Sequence, residues 1–165
     1  MAQITLGGTP CSTIGNLPVV DSTAPAFTLS RQDLSTASLH DFAGKKVVLN
    51  IFPSIETGVC QKSVRAFHEK LNGMDGVQLL NISMDLPFAG ARFCGAEGLE
   101  NVTFLSAFRA PSFGADYGVT FADSKFAGLF SRSVVVINEV GQIIHTEQVV
   151  ETGHEPNYEV VLGLL

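Results

Sequence analysis

Three cysteines stand at 11, 60 and 94, and the second closes the stretch "PSIETGVC", residues 53–60. A proline, a threonine three residues before the thiol and a cysteine where a helix must begin are the parts of a nucleophile. The amino end of a helix presents unpaired N–H groups and the positive end of the macrodipole, both of which favour thiolate over thiol. Pro53 closes the preceding strand without a backbone donor, and the Thr57 hydroxyl can curl back towards the Cys60 sulfur or a bound oxygen.

Ionisation alone does little. A free thiol of pKa about 8.5 is already a few per cent thiolate at pH 7, so complete ionisation raises the reactive fraction only ~30-fold, about 2 kcal/mol. Nucleophilicity also falls with pKa. A fast catalyst therefore needs donors that hold the substrate and stabilise charge on the departing atom. Arg132, at the entrance of "SVVVIN", is the candidate, because a guanidinium keeps its charge and presents a fixed fork of donors. This chemistry requires sulfur 60 to be held as an accessible anion beside that cation.

The elements that must position these groups are legible as patterns. "VVLNIF", 47–52, is a nearly all-apolar run, as for a strand covered on both faces. Cys60, Val64, Phe67 and Leu71 then fall on one stripe of a helix running from Gly58 to about Asn72, which turns Cys60 inward in its first turn. "VQLLNIS", 77–83, completes a βαβ unit with parallel strands. Asp85 as a cap and Pro87 at the first position predict a short helix through residues 87–98.

A further strand is expected at 102–108, a short turn or helix at "PSFGADYG", a closing hairpin turning at Gly141, and a last helix from about 155 to 164. Before all of these, "ITLGGTPCSTI" reads as a hairpin about Gly7-Gly8, and residues 26–46 as short extended pieces and turns. A parallel unit followed by an antiparallel hairpin and covering helices is the layout of an α/β thioredoxin-like sandwich, with a central mixed sheet and an N-terminal β-hairpin. Length predicts one domain, 1–165.

Composition narrows the classes. Of 165 residues 45% are apolar, and the net charge of −6 comes with no basic stripe, which argues against nucleic acid and anionic lipid as partners. No apolar run approaches the ~18 residues of a membrane span, and the N-terminus lacks a leader pattern, so a cytoplasmic location is expected. In that reducing setting three widely spaced cysteines fit redox or catalytic use. A C-x-x-C reductase is disfavoured because Ser63 stands where the second thiol would fall. The four histidines, 40, 68, 145 and 154, show no zinc-type spacing with the cysteines and are read as surface or loop residues.

"FPSIETGVC" resembles the peroxiredoxin signature, and "DLPFAGARFCGAEGL" with "SRSVVVIN" looks like its thiol peroxidase branch, the atypical two-cysteine peroxiredoxins of bacteria. The resemblance runs over nearly the whole chain. It implies that Cys60 is the peroxidatic cysteine and Cys94 the resolving one, with Pro53, Thr57 and Arg132 completing the active site. It further implies hydrogen peroxide and alkyl hydroperoxides as substrates, an intramolecular Cys60–Cys94 disulfide, thioredoxin as reductant, a homodimer, and no metal, haem or flavin cofactor. Cys11 has no role in the pattern and reads as a packed or spare thiol.

The pairing poses a geometric question. A disulfide needs Cα atoms within roughly 7 Å, yet the two thiols lie on separate predicted helices, so something must move. Gly90, Gly95 and Gly98 each weaken a helix by about 1 kcal/mol, and the expectation is that the Cys94 helix unwinds locally. The reading from a different class is a non-enzymatic thiol redox sensor or binding module, in which the same two thiols switch a surface.

Overall fold

The computed structural model describes all residues, Met1–Leu165. The strands are β1 (Gln3–Leu6), β2 (Thr9–Ser12), β3 (Thr28–Ser30), β4 (Thr36–Ser38), β5 (Lys46–Ile51), β6 (Val77–Ser83), β7 (Phe104–Ser106), β8 (Ser133–Ile137) and β9 (Ile143–Gln148). The helices are α1 (Gly58–Leu71), α2 (Pro87–Glu97), α3 (Ser112–Asp116) and α4 (Tyr158–Leu162), and a 3-10 turn covers Leu39–Phe42.

β1 and β2 form the predicted hairpin, with Gly7 and Gly8 at φ 59° and 79°, which a tight turn demands and only glycine adopts freely. The other seven strands make one mixed sheet in the order β4-β3-β7-β6-β5-β8-β9. β5 pairs parallel with β6 and antiparallel with β8, as the βαβ unit and closing hairpin require. The period of two along β5 explains its composition. Val47, Leu49 and Ile51 enter the large core with Phe27, Phe113, Tyr117 and Phe130, while Val48 faces Phe67, Leu71 and Val161 beneath α1 and α4.

Two elements and one cap differ from expectation. β7 is only Phe104–Ser106 because its ladder is limited by β6, whose last residue, Ser83, pairs with Ser106. α4 begins at Tyr158 rather than 155: Pro156 keeps Glu155 out of helical geometry, and the Asn157 side chain accepts from Val160 N at 3.3 Å to cap the helix. Asp85 does not cap α2. Leu86 occupies that position, Pro87 takes the first turn as expected, and Asp85 is engaged elsewhere.

Candidate active site

β5 delivers the chain to the carboxyl edge of the sheet, where the loop 53–57 turns into α1. Phe52 N still donates to Ile82 O at 3.1 Å, and the buried Pro53, without an N–H, ends the ladder there. The Asp85 carboxylate pins this loop: Oδ1 accepts from Ser54 Oγ at 2.6 Å, and Oδ2 from Ile55 N at 2.8 Å and Ser83 Oγ at 2.7 Å. The residue read as a cap therefore ties the loop to the end of β6. A carboxylate surrounded by three donors is better satisfied here than at a helix terminus that needs one acceptor.

Thr57 is the N-cap of α1, yet its side chain makes no capping bond. Its hydroxyl lies 2.8 Å from Cys60 Sγ and 2.9 Å from Ser54 O. Cys60 precedes the first helical hydrogen bond, Gln61 N to Thr57 O, and so sits in the turn whose amides are free of helical partners. From below, Ser63 Oγ donates to Cys60 O at 2.8 Å and accepts from Asn50 Nδ2 at 3.2 Å, while Asn50 also donates to Asn81 Oδ1 at 3.0 Å. Ser63, the residue in the C-x-x-C position, thus anchors the first turn to β5 and β6.

Arg132 reaches the sulfur from the other side. Nη2 donates to Cys60 Sγ at 3.5 Å, Nε donates to Thr152 O at 3.0 Å, and Nη1 is buried with no partner. At 2% exposure the guanidinium has been taken out of water, and its spare N–H groups are aimed into the protein. Such an orphan donor is costly unless a ligand completes it. Cys60 itself is 0% exposed, which corrects the expectation of an accessible thiol. It is packed in one apolar cluster with Phe52, Ile55, Val64, Phe93 and Phe104, whereas Thr57 is partly exposed.

Cys94 belongs to that same apolar cluster, on α2, and all three thiols are free. Burial pushes the Cys94 thiol up, and a hydrogen bond from Gln32 Nε2 at 3.8 Å acts against this. α2 is fastened by two ion pairs, Arg65–Glu97 to α1 and Arg92–Glu56 to the loop before it. The three glycines have separate roles. A Cβ on Gly90 would lie 2.8 Å from Phe104 Cγ, Gly98 ends the helix at φ 65°, and Gly95 faces open space without a left-handed φ. Gly90 is thus a packing necessity and Gly98 a terminator, and neither is simply a weak point within the helix.

Cys11 is buried in β2 against Ile4 and Phe121, away from this cluster, with its thiol pushed up by burial and then by Asp123 and Glu151. Of the histidines, His40 and His154 are exposed, whereas His68 and His145 are half-buried, on α1 and β9. Thr152 and Gln32 touch the site or its supports with no signal in the sequence, while the sequence marks Asp85 only as a helix cap and Ser63 only as the residue in place of a second thiol. Only Ser63 lay within a recognisable spacing.

A strand leading into a helix-start thiol, with a hydroxyl and a guanidinium converging on the sulfur, is the site of a thiol-based redox protein on a thioredoxin-like sheet. The Redoxin family pattern matches residues 19–162, starting beyond the N-terminal hairpin. A thiol peroxidase of Mycobacterium tuberculosis is 55% identical over 165 residues, covering 100% of this chain and 99% of that protein. One from Corynebacterium glutamicum is 46% identical with the same coverage. A crystal structure of a peroxiredoxin-like protein from Aquifex aeolicus superposes with TM-score 0.93 at 32% identity, over 99% of this chain and 95% of that one. The chain belongs to the redoxin family, among the thiol peroxidases. It is a thiol-dependent peroxidase, an antioxidant oxidoreductase of the peroxiredoxin type that acts on peroxides with a thiol reductant. No helix is long and apolar enough to cross a membrane.

Proposed function

We propose that the chain reduces hydrogen peroxide and organic hydroperoxides at Cys60, resolves the product with Cys94 and is recycled by thioredoxin. The observation that carries this reading is the convergence of Thr57 Oγ1 and Arg132 Nη2 on one sulfur. The Cys60 thiolate attacks one peroxide oxygen, so that an S–O bond forms as the O–O bond breaks. The departing alkoxide or hydroxide takes up a proton and leaves as alcohol or water, and sulfur becomes sulfenic acid. The Thr57 hydroxyl and the unpaired Nη1 of Arg132 supply donors for the two oxygens, in a dry site where each donor is worth most. Pro53, buried at the end of the strand, is assigned the role of shielding the sulfur.

The Cys94 thiol then displaces water from the sulfenic acid, giving the disulfide. A dithiol of the thioredoxin type reduces it back to two thiols, itself becoming a disulfide. Cys60 and Cys94 lie unbonded on separate helices within one apolar cluster, and loosening of α2 is the motion by which they would meet. Three free thiols suit the reducing cytoplasm. A homodimer is the assembly the family resemblance implies, and sedimentation of the reduced protein tests it.

Mass spectrometry after one equivalent of peroxide decides the roles. The wild type should carry a Cys60–Cys94 link, and Cys94→Ser an oxidised Cys60. Oxidation at Cys11, or none at Cys60, would overturn the assignment.

A further inference from the structure

The hairpin β1–β2 lies outside the matched Redoxin residues, yet it pairs with the loop whose Thr152 carbonyl holds the guanidinium of the site. Thr5 runs beside Glu151 as a short parallel bridge, with Thr5 N donating to Val150 O at 2.7 Å and Thr152 N to Thr5 O at 2.9 Å. The Thr152 hydroxyl donates to the same Thr5 carbonyl at 2.8 Å. Glu151 clasps the turn itself. Its carboxylate accepts from Thr5 Oγ1 at 2.6 Å and from the amides of Gly7 and Gly8 at 3.0 Å each, and returns to its own loop through Gly153 N at 2.9 Å. Two successive amides presented by a glycine turn form an anion-binding concavity, and here a side chain fills it.

The loop so fastened presents a single carbonyl to the site, Thr152 O, and that carbonyl accepts Arg132 Nε at 3.0 Å. Thr152 is 3% exposed and Arg132 is 2% exposed, so neither contact is exchanged with water. A planar guanidinium held at Nε can turn Nη1 and Nη2 in one plane only, which fixes where its donors meet the sulfur and its ligand. We infer that Glu151 and Thr152 are positioning residues: through them the N-terminal hairpin sets the orientation of Arg132 at Cys60. This inference rests on the role of Arg132 proposed above.

The test is the rate of Cys60 oxidation on rapid mixing with hydrogen peroxide, read in a Cys94→Ser background by trapping the sulfenic acid with a 1,3-diketone. The Glu151→Ala/Thr152→Val variant should be slowed about 10-fold, in keeping with the sensitivity of reacting geometries to small displacements. Thr152→Ser alone, which keeps the hydroxyl and leaves Glu151 in place, should keep the wild-type rate. In an Arg132→Lys background, where the Nε contact no longer exists, the same pair should add less than about twofold. Circular dichroism and thermal melting establish that each variant is folded, and Glu151→Ala alone, at a partly exposed site, provides a second variant should the pair unfold.

An equal loss whether residue 132 is the native arginine or carries the Arg132→Lys substitution would assign the effect to general stability and overturn the inference. So would a full rate in the folded pair variant while Arg132→Lys is slow. A full rate for Arg132→Lys itself would instead remove the proposed role of the arginine, and the brace with it.

Discussion

Thr57 Oγ1 stands 2.8 Å from Cys60 Sγ and 2.9 Å from Ser54 O, and the hydroxyl owns only one proton. When that proton is given to the carbonyl, the thiol is the donor to the hydroxyl oxygen; when the sulfur is a thiolate, the hydroxyl can turn and donate to it. The contact survives both states, which keeps the sulfur aimed while its charge changes.

Thr57→Val should therefore separate activity from stability. The side chain makes no capping bond and the backbone at φ −111°, ψ 146° accepts a β-branched residue, so stability should change by no more than about 0.5 kcal/mol. Cys60 oxidation should slow about 100-fold, the usual loss for one donor to a departing oxygen. Thr57→Ser should retain most of the rate. Thermal melting and rapid-mixing kinetics together check it, and a proportionate loss of both would contradict the argument.

Gly95→Ala places a methyl in open space on α2 and should stabilise that helix by up to about 1 kcal/mol. If Cys94 is delivered by local opening, disulfide formation slows up to about fivefold while sulfenic acid formation keeps its rate. Gly90→Ala is a different experiment. Its Cβ meets the Phe104 ring, so it should destabilise the protein by about 1–3 kcal/mol. Equal slowing of both steps by Gly95→Ala would exclude opening of α2 as the gate.

Arg65 joins α1 to α2 by a two-pronged bond to Glu97, at 2.7 and 2.9 Å, and lies over the Phe93 ring at 5.4 Å. Glu97→Gln should raise the alkylation rate of Cys94 by about two- to threefold in a variant lacking the other two thiols, the modest gain expected of a partly exposed pair. Added salt should speed the wild type and leave the variant unchanged. An unaffected rate in Glu97→Gln would show that α2 opens without breaking this contact.

The raised pKa of Cys94 has a definite sign. Burial favours the neutral thiol, so its contribution to the closed α2 is complete below the pKa of an unfolded thiol and fades as pH rises past it. Hydrogen exchange of the α2 amides, corrected for intrinsic rates, should show easier opening on the alkaline side. Cys94→Ser should lose that dependence.

Glu151 carries the opposite dependence. Its hydrogen bonds from Thr5, Gly153, Gly8 and Gly7 hold the carboxyl at about 2. The clasp on the hairpin is thus complete above the ordinary carboxyl pKa near 4.3 and lost as pH falls through about 2. The amide resonances of Gly7 and Gly8 should titrate with a midpoint near the lower value. A midpoint near 4.3 would mean that the carboxylate does not hold the turn in solution.

Local patterns determined a great deal: the Gly7-Gly8 hairpin, the covered strand before Pro53, the stripe that turns Cys60 inward and the 77–83 strand all appear as read. These depend on periodicities of two and 3.6 and on residues with restricted dihedrals, which are properties of neighbours in the chain. The spacing of Pro53, Thr57 and Cys60 is equally local, because one loop and one helical turn fix it.

Tertiary structure alone decided what meets across the sheet. Arg132 reaches a sulfur 72 positions away, Thr152 supplies the carbonyl that holds it, and Asp85 turns from its expected cap to the loop at Ser54 and Ile55. The complete burial of Cys60 and the three separate roles of Gly90, Gly95 and Gly98 belong to the same class. A polar group takes the partner that satisfies it best once water has been removed, and a glycine is needed wherever another element packs too close for a Cβ. Both are settled by contacts between distant segments, which exist only when the chain has folded.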